Sequence, residues 1–237
     1  MVQTLICGEA FAQPETLRVI FHKTGDMQYI SHLDLVRTMT RVIIRSHIPV
    51  AYSEGFNPIP RLSFAAPLSV GVESVCEVMD IRITHPVDTA AVMRVLNENL
   101  SPLLAVYDVY MAEGKVKDIA FVTYTFRLTT ERACTNFADT VQKTLTKRPL
   151  TVVKMTKAGE KETDISPAIH NLIVKEEDGT VRIDATLAVN NASFLNPDYL
   201  MKALERATGY PDPDKKDKEY YTIMRTGFYL QDGTPFR

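Results

Sequence analysis

The chain has 237 residues, 45% of them hydrophobic and 24% charged, with a formal net charge of −2. That apolar content fills one large core or two smaller ones, and 10 glycines with 13 prolines are too few for a collagen-like repeat. Wholesale disorder is excluded, and so is a protein that coats nucleic acid by bulk charge; an anionic partner would have to be met by a local cluster of cations.

Residues 1–16 read as a loose lead-in. They lack the charged start and sustained apolar core of a signal peptide, and no run reaches transmembrane length, so a soluble cytoplasmic protein without membrane contact is expected. Leu17–Lys23 reads as a strand ended by the Thr24-Gly25-Asp26 turn. Ser31 opens a helix, with Asp34 as a short stand-in for the glutamate of a capping box. Leu35, Val36, Met39, Val42 and Ile43 fall on one face, and Pro49 stops the run. Glu73–Thr84 alternates as a strand, with a slip in register among Val75, Val78, Ile81 and Ile83 that fits a bulge. Asp88–Leu100 is a second helix and Leu103–Met111 a further strand.

After the polar link Ala112–Asp118 the order of elements starts again. Ile119–Thr129 reads as a strand, Glu131–Thr146 as a helix and Leu150–Lys157 as a strand. Residues 158–171 are irregular, with room for a short helix or an extra strand pairing. Asp178-Gly179 is a hairpin turn between Leu172–Glu177 and Thr180–Val189. A helix from Pro197 to Thr208 and a strand from Glu219 to Leu230 close the set. The fold class is therefore α+β, as two tandem ferredoxin-like (βαββαβ) halves at 17–111 and 119–237, joined by the linker 112–118.

Arg37, Arg41 and Arg45 recur every four residues, opposite the apolar face of the first helix. They read either as a phosphate-binding stripe, because guanidinium forks match phosphate oxygens, or as a solvated face partnered by Asp34. The loop that follows, Ser53-Glu54-Gly55-Phe56-Asn57-Pro58-Ile59-Pro60-Arg61, combines turn residues with an aromatic, an amide and a cation. It reads as a recognition surface or as a structural loop whose Phe56 plugs the core. His32, close to Tyr29 and Ser31, is either a general acid–base for RNA cleavage, with Tyr29 or Arg61 steadying charge, or a histidine that packs the helix start. Phe121, Tyr124, Phe126, Tyr220, Tyr221, Phe228 and Tyr229 read as core filling or as an exposed RNA-stacking face.

His22, His47, His85 and His170 are scattered without metal-binding spacing, and no metal site is expected. Cys7, Cys76 and Cys134 are far apart, which fits free thiols in a reducing compartment rather than zinc or disulfides. Nucleotide-binding and hydrolase signatures are absent from the sequence.

The run Tyr29-x-Ser31-His32-Leu33-Asp34-Leu35-x-Arg37 is followed by Tyr52-Ser53-x-Gly55-Phe56-Asn57-Pro58-x-Pro60 and Ser63-Phe64-Ala65-x-Pro67-Leu68-x-x-Gly71. Together these resemble the bacterial radical-SAM-associated (radical-SAM-linked) protein family, and agreement at Glu73–Asp80 and Arg225-Thr226-Gly227 extends the likeness over nearly the whole chain. Ile59 departs from the pattern, standing where the family usually has histidine. The resemblance implies an accessory protein found beside or fused to cobalamin-binding radical-SAM proteins, with no reaction of its own assigned. The iron–sulfur cluster, S-adenosylmethionine and cobalamin are then expected only on the partner, since three dispersed cysteines cannot hold a cluster.

The leading expectation is a non-catalytic adaptor that works with a radical-SAM protein and binds tRNA or ribosomal RNA. Ser31, His32, Arg37, Arg41, Arg45, Ser53, Gly55, Phe56, Asn57 and Arg61 are its contact residues. One alternative is a metal-independent endoribonuclease using His32, an arrangement similar to that of the CRISPR-repeat-processing endoribonucleases. The other is a protein–protein module whose arginines meet an acidic surface.

Overall fold

A computed structural model describes residues 5–131, 136–156, 159–177, 179–190 and 193–237. The chain is mixed α+β and divides into two compact units, one ending at Asp118 and including Arg237, the other Ile119–Phe236.

The first unit contains β1 (Glu15–Lys23), α1 (His32–Arg45), β2 (Leu62–Phe64), β3 (Val72–Ile83), α2 (Thr89–Asn99) and β4 (Val106–Met111). Its strands are antiparallel in the order β4-β1-β3-β2. Strand side chains alternate between faces. Leu17, Val19 and Phe21 of β1 and Met79, Ile81 and Ile83 of β3 thereby join Leu35, Met39, Val42 and Ile43 of α1 and Val92 and Leu96 of α2 in one core. The slip suspected in the third strand is a bulge: Phe21 faces Glu77 but Lys23 faces Ser74, so β3 carries one extra residue there.

Several boundaries differ from the sequence reading, each for a local reason. The described part of the lead-in is not loose. Leu5 is buried, the Cys7 N–H donates to the Pro86 carbonyl at 3.0 Å, and the Phe11 N–H donates to the Thr84 carbonyl at 2.9 Å. α1 ends at Arg45 with Ser46 as its cap and His47 in the left-handed region at φ 52°, before Pro49 is reached. The strand expected from Leu103 begins at Val106, because a 3-10 turn over Pro102–Leu104 sends Leu104 into the core. The second strand of this half, β2, is three residues long and carries no periodic signal.

On the opposite face of β1, Arg18 is wholly buried against Asp80 of β3. Its Nε donates to Asp80 Oδ1 at 2.7 Å and its Nη2 to Oδ2 at 2.9 Å, a bidentate pair, and Nη2 also reaches the Gly114 carbonyl at 2.9 Å.

The second unit contains β5 (Phe121–Thr129), α3 (Phe137–Leu145), β6 (Thr151–Thr156), β7 (Gly159–Asp164), β8 (Ile169–Glu177), β9 (Thr180–Asn190), β10 (Ser193–Phe194), α4 (Asp198–Thr208) and β11 (Tyr220–Tyr229). Its main sheet runs β11-β5-β9-β8, antiparallel throughout, with β10 on the end of β9. The irregular stretch after β6 is the extra pairing, a separate β6–β7 hairpin. The first residue of α3 is Phe137, whereas the helix expected from the sequence starts at Glu131; residues 132–135, Cys134 among them, lie outside the described residues. Glu177 pairs with Thr180, which leaves a two-residue connection in which Gly179 adopts φ 75° and Asp178 lies outside the described residues.

The aromatics Phe121, Tyr124, Phe126 and Phe228 are buried, so these four fill the core rather than offer a stacking face; Tyr220 is the exposed member of the set. The Arg225-Thr226-Gly227 run is structural. Arg225 is buried, donates to the Tyr124 hydroxyl from Nε (3.3 Å) and Nη2 (3.1 Å), and sits 5.0 Å from the Phe228 ring centroid. Thr226 is the extra residue of a bulge, and a Cβ on Gly227 would come within 2.9 Å of the Tyr229 ring. Among the described residues no helix is long and apolar enough to cross a membrane.

Replacing Asp80 with alanine leaves the Arg18 guanidinium buried without its carboxylate, which costs about 3–5 kcal/mol. Urea denaturation of Asp80→Ala should show a loss of that size; a loss under about 1 kcal/mol would mean the pair is no more than a surface ion pair.

Candidate functional site

The start of α1 is organised by its cap. The Ser31 hydroxyl accepts from the Asp34 N–H at 3.1 Å and donates to the Asp34 carboxylate at 2.7 Å. The pair is thus closed side chain to side chain, because the aspartate is too short for the reciprocal bond to the cap backbone. Asp34 also lies 3.2 Å from Arg37 Nη1. The Ser31 hydroxyl first, and Arg37 second, hold its carboxyl below the ordinary aspartate value. Arg37, Arg41 and Arg45 are all exposed. Among the described residues Arg37 has an acidic neighbour, whereas Arg41 and Arg45 have none within ion-pair distance. Two free guanidinium groups one turn apart are what a phosphate chain would meet. His32 is half-buried, its ring edge-on to Phe64 of β2 at 5.6 Å, which seats the helix start on the sheet edge.

The Gly-Phe-Asn-Pro-Ile-Pro-Arg loop is held by its backbone. The Ala51 N–H donates to the Arg82 carbonyl (2.7 Å), the Arg82 N–H to the Arg61 carbonyl (3.0 Å), and the Arg61 N–H to the Ala51 carbonyl (2.8 Å). These three bonds close a ring at the base. Above it Tyr52 bridges Pro60, the Ser53 N–H donates to the Ile59 carbonyl (2.8 Å), and the Ile59 N–H donates to the Ser53 hydroxyl (3.1 Å). Gly55 turns the tip at φ 125°, a value that disfavours any side chain. Phe56 projects from that tip with a relative exposure of 105%, as open to water as a side chain in an extended peptide. The plug reading of Phe56 is therefore excluded. Tyr52, Asn57 and Ile59 are exposed beside it, and Arg61 reaches Glu54 only at 3.9 Å.

The fold thus gathers Ser31, His32 and Arg37 at the start of α1, and Ser53, Gly55, Phe56, Asn57 and Arg61 in the loop. Among the described residues no hydrogen bond or ion pair joins the stripe to the loop. Tyr29, the candidate charge-steadying group beside His32, is more than half exposed, as are Leu33 and Val70, which the sequence does not single out. The Gly71 N–H donates to the Gln28 carbonyl at 2.9 Å and brings the Val70 turn beside the approach to α1. Leu33 was legible as an apolar residue outside the buried stripe; Val70 depends on a contact far along the chain. Among the described residues no group of three or more His, Cys, Asp or Glu side chains could hold a metal ion.

The model of a bacterial family, described as an uncharacterized protein conserved in bacteria (DUF2344), matches residues 16–197. No curated protein shows significant similarity to the chain. Among solved structures, a chain of a Cbf5-Nop10-Gar1 complex overlaps with a TM-score of 0.44 at 8% identity, covering 90% of this chain and 48% of that one. This chain therefore spans about half the length of that relative. An unknown protein from Galdieria sulphuraria overlaps with a TM-score of 0.26 at 9% identity, covering 90% of this chain and 99% of that one. Neither overlap is close enough to carry an argument about function.

Two outcomes follow from the geometry. Phe56→Ala should leave stability within about 0.5 kcal/mol of wild type in chemical denaturation, because the ring buries nothing; a loss above about 2 kcal/mol would restore the plug. Ser31→Ala should cost about 1 kcal/mol at neutral pH through the lost cap. The depressed Asp34 carboxyl stabilises the fold above its unfolded value and loses that effect as pH falls through its lower folded value. The gap between wild type and Ser31→Ala should therefore narrow in acid, and a gap that widens below about pH 4 would contradict the assignment.

Proposed function

The chain belongs to this bacterial family, and on that premise we propose that it is a non-catalytic accessory protein of the cytoplasm. It works with a radical-SAM partner and binds tRNA or ribosomal RNA through α1 and the Gly-Phe-Asn-Pro-Ile-Pro-Arg loop. The observation that carries this reading is Phe56, fully exposed on a loop whose base is closed by three backbone bonds. An apolar ring held in water by a fixed backbone gains nothing for the fold. Offered to a nucleic-acid base it supplies stacking worth about 1–3 kcal/mol. The unpartnered Arg41 and Arg45 supply cations for phosphate.

The strand orders β4-β1-β3-β2 and β11-β5-β9-β8, antiparallel and each with two helices, support reading both units as ferredoxin-like. The link to radical-SAM chemistry rests on the resemblance of the Ser31–Arg37 and Tyr52–Pro60 runs. In that arrangement the partner carries the iron–sulfur cluster, S-adenosylmethionine and cobalamin, since the cysteines of this chain are too dispersed to ligate a cluster. His32, edge-on to Phe64, fits the packing role better than that of a general base.

A second reading, docking on a protein partner alone, is favoured by the apolar groups that share these surfaces: Tyr52 and Ile59 in the loop, Leu33 and Val70 near α1.

The test is tRNA binding as a function of salt. Arg41→Ala with Arg45→Ala and Arg61→Ala should weaken binding and lower the salt slope by about 0.7–0.9 per lost phosphate contact. Phe56→Ala should weaken binding with little change in slope. Unchanged affinity and slope in the arginine variant would remove the stripe from the account. Absence of RNA binding, with a radical-SAM protein captured by wild type and lost in Phe56→Ala, would leave the protein-docking reading.

A further inference from the structure

A groove of about 590 Å³ opens in the second unit among the end of α3, the β6–β7 hairpin and α4. Thr144, Lys147, Leu150, Glu162, Ala203 and Arg206 are among the residues that line it. On α4, Tyr199, Lys202, Ala203, Arg206 and Ala207 are spaced by threes and fours, which places them on one face, while Leu200, Met201 and Leu204 turn into the core. The two alanines keep the floor open. Lys147 and Arg206 flank it, and Glu162, the carboxylate among the lining residues, accepts from both terminal nitrogens of Arg206 at 3.2 Å.

Further cations lie outside the groove's own lining, on the same helix and hairpin. The Nζ atoms of Lys154 and Lys202 lie 4.9 and 5.1 Å from the centroid of the same Tyr199 ring. Lys154 also stands directly opposite Lys161 in the β6–β7 ladder. Like charges opposite each other across two strands destabilise a hairpin. The Tyr199 ring thus draws two ammonium groups to one point of the surface, each through an attractive cation–π contact. A polyanion threaded past these lysines would relieve the Lys154–Lys161 repulsion.

We propose that this groove is a second RNA-binding site, which takes the phosphate backbone of a single strand along α4 with a base at Tyr199. The path from Tyr199 to Ala207 is about 12 Å, the length of a few nucleotides. Lys154, Lys161 and Lys202 meet phosphates at one end, and Lys147 and Arg206 meet them at the other. The inference rests on the RNA reading above and adds to it a surface that the sequence motifs do not include.

The probe is a fluorescein-labelled oligouridine of about 12 nucleotides, titrated against the intact chain at two salt concentrations. Lys161→Gln with Lys202→Gln should reduce affinity about tenfold and lower the salt slope by about 1.4, the share of two single-strand phosphate contacts. The same variant should stay folded with a denaturation midpoint close to wild type, because both side chains are exposed. Tyr199→Leu should weaken binding about fivefold or more. If wild type binds and the double lysine variant keeps its affinity and slope, the groove proposal falls. Loss of binding in Phe56→Ala would then leave the function reading in place. Binding of polyglutamate but not of oligouridine or tRNA would assign the groove to an acidic protein and overturn the proposal. A wild type that binds no RNA would end both.

Discussion

Three backbone hydrogen bonds among Ala51, Arg61 and Arg82 fix the base of the loop that carries Phe56. They tie both legs of the loop to the end of β3, and β3 is itself paired with β1 along most of its length. The loop therefore inherits the rigidity of the sheet. Its tip has no core contact to lean on, yet its ends cannot separate without breaking strand pairing. A side chain displayed in this way loses little freedom on binding, which is the physical content of preorganisation. The same base places Arg61 at the sheet margin, while Tyr52 and Ile59 are exposed beside the tip.

The arginines of this chain divide into two populations that charge pattern alone does not separate. Arg18 and Arg225 are buried and serve the fold, one locked bidentate to Asp80 and the other on the Tyr124 hydroxyl. Arg41 and Arg45 face water without an acidic neighbour among the described residues. A buried guanidinium is tolerated only where its donors are met, so Arg18 and Arg225 mark positions the fold cannot vary cheaply. The exposed pair has no such tie to the interior and stays open to an anion from solution. Part of the sequence pattern that suggested a family, the Arg225-Thr226-Gly227 run, is thus a packing motif, whereas the loop motif is a surface.

Long periodic elements were legible from the sequence. α1, with its Ser31 cap and its buried stripe of Leu35, Met39, Val42 and Ile43, follows from helical spacing, as β1 and the bulged β3 follow from alternation. β2 was not legible, since three residues hold no period; β6 was legible as a strand, but β7, polar throughout, left its stretch open between a short helix and an extra pairing. The candidate loop was visible as composition, but whether Phe56 points in or out depends on a backbone ring formed with Arg82, which no local pattern encodes. The Arg18–Asp80 pair spans 62 residues and the α4 groove joins four elements. Such contacts are set by strand register and helix docking, and they become apparent only once the chain is folded.

The central claim is that the exposed loop of the first unit is the contact through which an accessory protein joins RNA to a radical-SAM partner. The most direct measurement is capture of tagged wild type and Phe56→Ala protein from native cytoplasm, with half of each sample treated with nuclease. Retained proteins are read by mass spectrometry and retained RNA by sequencing. The account predicts a radical-SAM protein that survives nuclease and a defined RNA in the untreated half, both depleted in the Phe56 variant. Neither a radical-SAM protein nor a defined RNA enriched by wild type over the variant would contradict it.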